Sequence, residues 1–166
     1  MWPTETWSNS HEHLVGSGSD GCDIALEVLR HCYVREKQHV MRFRQHAERM
    51  QFLKFRYALL RIASKEEEHA KWIAAKIKAL GGGLPPVIEV RFTHESDWDY
   101  LRSDLDDERR CVTEMEEDKR VIQSHFPDIV ALLELIEDDA LKHRQEIREM
   151  LRQSAPQTFW PAREER

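Results

Sequence analysis

The chain has 166 residues and 19.7 kDa, the size of one domain, since two cores drawn from this mass would each be marginal. Its 25 Lys and Arg stand against 31 Asp and Glu, and the resulting charge of −6 disfavours a nucleic-acid partner. With 34% charged residues, 40% apolar ones and only 6 Gly and 6 Pro, long amphipathic helices are expected, and an all-α class.

No apolar run approaches the roughly 20 residues that span a bilayer. Residues 1–20 lack the basic start and apolar centre of a secretory leader, so the expected location is cytoplasmic, with no membrane partner. The three cysteines, Cys22, Cys32 and Cys111, are odd in number and form no C-x-x-C pair. They read as reduced thiols, with no zinc knuckle and no rubredoxin-type iron centre.

Residues 1–21 mix Ser, Asn, Gly and His with Trp2 and Trp7 without periodicity and read as a flexible tail, in which Ser19 or Asp20 caps the helix that follows. From Cys22 to Leu80 there is neither Gly nor Pro, yet a single helix of that length would reach about 90 Å, too long for a compact domain. Two apolar stripes resolve the conflict. Leu29, Cys32, Tyr33, Val40, Phe43 and Ala47 mark one helix, and Leu59, Ile62, Ala70, Ile73, Ile77 and Leu80 a second, with an unsigned turn near 48–54. Gly81-Gly82-Gly83 and Pro85-Pro86 stop the second helix. After an extended stretch, Thr93 or Ser96 offers a cap for a third helix with the stripe Leu101, Leu105, Val112, Met115, Ile122. Pro127 opens a fourth carrying Leu133, Ile136, Ile147 and Met150 and ending before Pro156. A bundle over residues 22–153 follows, with a second tail at 154–166. Arg and Lys between Arg42 and Arg61 are assigned to a solvated face, whereas Phe52, Phe55, Trp98 and Tyr100 find no evident core position. Those unplaced aromatics imply a homo-oligomer, at least a dimer.

Polar residues interrupt the stripes at particular places. Glu36 falls between Tyr33 and Val40, Glu66 and His69 between Ile62 and Ile73, Glu108 between Leu105 and Val112, and His143 between Ile136 and Ile147. An ionised carboxylate in an apolar core costs several kcal/mol unless paired or bound to a cation, so these positions call for a metal. Glu66-x-x-His69 sets a carboxylate and an imidazole one turn apart on one face. In an antiparallel hairpin, residues at one height are equidistant from the turn: the midpoint of Glu36 and Glu66 is Gln51, and that of Glu108 and His143 falls in Ser124-His125-Phe126-Pro127. Both coincide with the required turns. From Gly81 to Thr93 an extended chain reaches about 40 Å, a helix length, as a crossover between the two hairpins requires.

Glu36, Glu66-x-x-His69, the Leu80-Gly81-Gly82 stop and the segment Leu101 to Glu108 resemble the ferritin-like superfamily, in particular bacterioferritins and rubrerythrin-type di-iron domains, over about residues 22–153. The resemblance implies a four-helix bundle of two antiparallel hairpins joined by a long crossover. It also implies two Fe ions (or Mn, or a mixed pair) on Glu36, Glu66, His69, Glu108 and His143, and oxidation of Fe(II) by dioxygen or reduction of peroxide. Three departures qualify it. The fourth helix reads Ala140-Leu141-Lys142-His143 where the family has E-x-x-H, leaving Asp139 as the nearby substitute; Glu67 replaces the haem-ligating Met, so no haem is expected; and Phe43 replaces a frequent Tyr. His39 and Cys111, each three residues after a site Glu, also face the site. His39 reads either as a ligand or as a core histidine bonded to a carboxylate, and Cys111 as a small buried hydrophobe with a soft-ligand role as the minority reading. Function is expected to be a di-iron oxidoreductase, with an iron-storage cage subunit or an interaction module with a degenerate site as alternatives.

Overall fold

A computed structural model describes residues 18–123 and 125–154 of the chain. The expected tails therefore lie almost wholly outside the described residues. Four helices carry the described chain, with no strand among them: α1 (Gly18–Arg49), α2 (Leu53–Ala79), α3 (Asp97–Ile122) and α4 (Pro127–Ser154). Since α1 begins at Gly18, Ser19 and Asp20 lie within the helix and not at its cap.

The turn between α1 and α2 has neither Gly nor Pro because a side chain from the next helix closes it. The Arg56 guanidinium donates to the carbonyls of Ala47 (3.0 Å), Glu48 (3.4 Å) and Met50 (3.5 Å), meeting the acceptors that a helix C-terminus leaves open. Asp97, at the start of α3, accepts from the Gln51 N–H at 3.0 Å. The end of α2 is a Schellman motif: Gly82 N donates to Ile77 O and Gly81 N to Lys78 O, both at 2.9 Å, with Gly81 at φ +76°, a region that suits glycine. Ser96 caps α3 by accepting from Asp99 N at 3.2 Å.

Helix α1 packs on α2 and α3, and α4 packs on α3 and α2, so α2 and α3 sit diagonally. The ends confirm the directions. Lys76 near the end of α2 pairs with Asp128 at the start of α4, while Lys54 at the start of α2 bonds Gln153 at the end of α4. The start of α3 meets the α1–α2 turn through Asp97, so the chain leaving α2 travels the length of the bundle before α3 begins. This crossover is tied along α1: Arg30 donates to Gly83 O at 3.2 Å, and Gln45 bonds Val90 O at 2.8 Å and Phe92 N at 3.1 Å.

The apolar core is divided in two. One cluster, near the crossover's start, includes Leu29, Ile73, Ile77, Met115, Ile122 and Leu133; the other, at the Arg56 end, includes Phe43, Phe55, Leu59, Tyr100, Leu101 and Ile147. Phe55 and Tyr100 are thus core residues, contrary to expectation, while Phe52 is exposed. Tyr100 lies one turn before Asp104 and packs on the ring of His46. The gap between the clusters is filled by charged side chains.

Candidate metal centre

All five expected ligands are buried in that gap: Glu36, Glu66, His69, Glu108 and His143, from all four helices. Asp139 and His39 are buried beside them. Glu66 is the hub. Its Oε2 lies 3.1 Å from His69 Nδ1, and its Oε1 lies 2.8 Å from His143 Nδ1. His69 Nδ1 is also 3.3 Å from Glu36 Oε2, and the opposite ring nitrogen, Nε2, lies 3.2 Å from Asp139 Oδ2. His69 therefore has a carboxylate at each end, and Asp139, not position 140, reaches the centre from α4. Lys142 Nζ donates to the other oxygen of Asp139 at 2.7 Å.

Burial pulls His69 toward neutrality, but the hydrogen bonds to Glu36 and Glu66 overrule it and raise its pKa to about 10. Desolvation and the Glu66 charge push Glu36 up to about 7. Burial also works against ionising Glu66, yet bonds from His143 and His69 hold its carboxyl well below the usual range. Glu108 is driven well above that range by burial first and by the Glu66 charge second. Without a cation, one carboxylate of this set is firmly ionised and two retain protons near neutrality.

The orphaned atoms are the test of fit. Both carboxylate oxygens of Glu108 are buried and make no hydrogen bond, while Oε2 of Glu36, equally buried, has His69 Nδ1 at 3.3 Å as its partner. Native interiors rarely leave such groups unpaired, and an oxygen-rich, imidazole-containing donor set matches iron or manganese. Three groups of side chains bring ligand atoms within 4.8 Å of one another: Glu36, Glu66 and His69; His39, Glu66 and Glu108; and Glu36, His39 and Cys111. His143 joins none of the three and reaches the centre through Glu66.

Several charged residues around the centre escaped the sequence reading. Arg42, assigned above to a solvated face, is only 5% exposed: Asp107 lies 3.2 Å from it, the Ser103 hydroxyl accepts from it at 3.2 Å, and the Phe92 ring stacks at 4.3 Å. A cation at that depth is held by its carboxylate. Burial lowers its pKa to about 10, which leaves it charged. Asp107 also lies 3.1 Å from His39 Nε2 and pairs with Arg110. Asp104 and His46 are fully buried, 2.7 Å apart. The signal for Asp104 was present, because it precedes Glu108 by four and Cys111 by seven, on one helical face. For Arg42 and Asp107 it was absent, since the contact joins α1 to α3.

No protein-family model matches the chain, and no curated protein matches it. Solved structures are more informative. The bacterioferritin of Desulfovibrio desulfuricans aligns with a TM-score of 0.77 at 21% identity, over 87% of this chain and 89% of its own. The chain has the ferritin-like fold. A ferritin-like diiron-carboxylate protein from Bacillus anthracis str. Ames matches with a TM-score of 0.69 at 21% identity, over 79% of this chain and 97% of its own. Mycobacterium tuberculosis bacterioferritin matches at 0.72 and 17% identity, over 84% and 87% of the two chains. In this ferritin-like bundle the crossover and both hairpins stand where the ligand midpoints required them. No helix among the described residues is long and apolar enough to cross a membrane.

Proposed function

We propose that this chain is an iron-binding, ferritin-like di-metal carboxylate protein that oxidises Fe(II) with dioxygen or peroxide in the layer between its two apolar clusters. The observation that carries the reading is the orphaned buried carboxylate of Glu108, beside an ionised Glu66 and a histidine enclosed by the carboxylates of Glu36, Glu66 and Asp139. Glu36, Glu66 and His69 hold one metal; Glu66, Glu108 and His143 hold the other, with His39 and Asp139 as supporting donors. Manganese or a mixed pair satisfies the same donors. Bound iron supplies the electrons that reduce the oxidant, and the protein's part is to fix donors and move protons. His69, Glu36 and Glu108 each carry a proton that a cation displaces. The Asp139 carboxylate, 3.2 Å from His69 Nε2, sets the orientation of that imidazole, an outer contact of the kind that tunes metal ligands.

Haem has no place in this reading, because Glu67, at the position of the family's haem ligand, pairs with Lys37 at 3.0 Å. The reading includes a cytoplasmic homodimer or larger assembly. Exposed Leu53, Tyr57 and Leu60, on one side of α2 next to exposed Phe52, supply an apolar stripe for association. The deciding experiment is anaerobic Fe(II) loading of the full chain with metal analysis, followed by admission of oxygen. About two irons per chain and their oxidation are expected; a chain that retains less than one overturns the proposal.

A further inference from the structure

One cluster joins Cys111, which lies outside the ligand set above, to Glu36 and His39. Glu36 and His39 are one turn apart on α1, and Cys111 faces them from α3, one turn beyond Glu108. A carboxylate oxygen, an imidazole nitrogen and the thiol sulfur lie within 4.8 Å of one another, and the three residues are 1%, 4% and 3% exposed. Donors bound at about 2.0–2.3 Å to one ion stand about 3–4 Å apart, so this cluster closes on an ion with small side-chain shifts. The Glu108 carboxylate, buried with neither oxygen hydrogen-bonded and Oε1 3.9 Å from His39 Nδ1, is the unpartnered group beside it.

Two further features favour a ligand over a merely packed thiol. Asp107, fixed by Arg42 and Arg110, lies 3.1 Å from His39 Nε2 and engages that nitrogen, which leaves Nδ1 on the Glu108 side, 3.9 Å from its Oε1. A carboxylate on the outer nitrogen is the usual way a protein fixes the tautomer of a metal-bound imidazole. The cluster also has an entrance: a cavity of about 420 Å³ between α1 and α3, lined by Arg35, Gln38, Arg110 and Glu114, has His39 and Cys111 in its wall.

We propose that Glu36, His39 and Cys111 form a thiolate-containing metal position, entered from the α1–α3 cavity and suited to a borderline divalent cation such as zinc or cobalt. The inference rests on the metal-binding reading above. On binding, the Cys111 S–H bond breaks, its electron pair stays on sulfur as the ligand, and the proton passes to water in the cavity. Sulfur makes this position prefer zinc and cobalt over manganese, in contrast to the oxygen-rich groups around Glu66.

The test is Co(II) titration of the metal-free full-length chain under anaerobic conditions. Wild type and Cys32→Ser should both show visible d–d bands with a near-ultraviolet thiolate-to-cobalt band; Cys111→Ser should keep the visible bands and lose the near-ultraviolet one. Cys32 is the control because its sulfur is occupied, donating to Asp118 at 3.4 Å and accepting from Arg35 at 3.3 Å. X-ray absorption of the wild-type cobalt form needs no variant and should show a metal–sulfur shell near 2.3 Å, roughly the zinc–thiolate length. Visible bands with no sulfur shell, or a thiolate band that survives Cys111→Ser, overturn this position and leave the metal reading intact. No visible bands at all would remove both.

Discussion

Filling the centre with divalent metal should expel protons, and the number follows from the side chains. At pH 6, Glu36, at about 7, holds ~0.9 of a proton, His69, at about 10, holds one, and Glu108, raised well above the usual range, holds up to one more. A metal ligand must be unprotonated, so loading a redox-inert divalent cation should release about three protons per chain at pH 6. Near pH 8 Glu36 is already ionised, and release should fall by about one. Apparent affinity should therefore rise steeply with pH, by a hundredfold or more per unit near pH 6. Titration calorimetry in two buffers of different ionisation enthalpy, at each pH, reads the count; Cys111→Ser removes any contribution from the thiol. Release below about one proton at pH 6, or equal release at both values, would refute the claim that these carboxylates are protonated because the cation is missing.

The remaining expectations concern the metal-free bundle and its supports. Glu108→Leu should raise metal-free stability by about 1–3 kcal/mol, because it removes a buried carboxyl without a partner, yet lose iron stoichiometry; thermal unfolding in chelator and metal analysis check the two halves. The pH dependence has a definite sign: Glu36 and His69 both bind protons more tightly when folded, so their contributions fade as pH rises from 4.5 to about 7 and from 6.5 to about 10. Glu66 acts in the opposite sense, its contribution being lost as pH falls below the ordinary carboxyl range, so denaturant midpoints without metal should peak between about pH 4.5 and 6. Gly81→Ala should cost about 1–2 kcal/mol through its φ of +76° and lower the melting temperature without changing metal content. Tyr57→Glu should shift the assembly toward monomer in sedimentation if the α2 stripe is the contact.

Much of the bundle was legible because helical periodicity and loop chemistry agreed. The stop at Gly81, the start at Pro127 and the cap at Ser96 are local, and a window of a few residues contains all the physics they need. The site was legible for a different reason: a Glu or His in an apolar stripe is conspicuous whatever surrounds it, and equal spacing from a turn converts sequence distance into height. The turn at Gln51 could be placed only by that symmetry, since the guanidinium that closes it belongs to Arg56, in the next helix. Arg42 was misassigned because its neighbours along the chain, Met41 and Phe43, carry no sign of Asp107, which arrives from α3. Asp104 and His46 form a fully buried pair that only tertiary contact reveals, and Tyr100 gained its core position from the same junction.

The division of the apolar core has a mechanical consequence. Each helix passes from one oily plug to another through a waist whose contacts are directional and electrostatic, so the waist can breathe while both plugs stay closed. Entry and escape of an ion then require only the strands of charge around His69 and Asp107 to part, an event much smaller than melting. Residence time and melting temperature then respond differently to substitution: packing changes at Leu29 or Phe43 act on melting, whereas changes at the partly solvated Asp139 act first on residence time. Amide exchange should map the boundary, with protection lowest in the middle turns of long helices instead of at their ends.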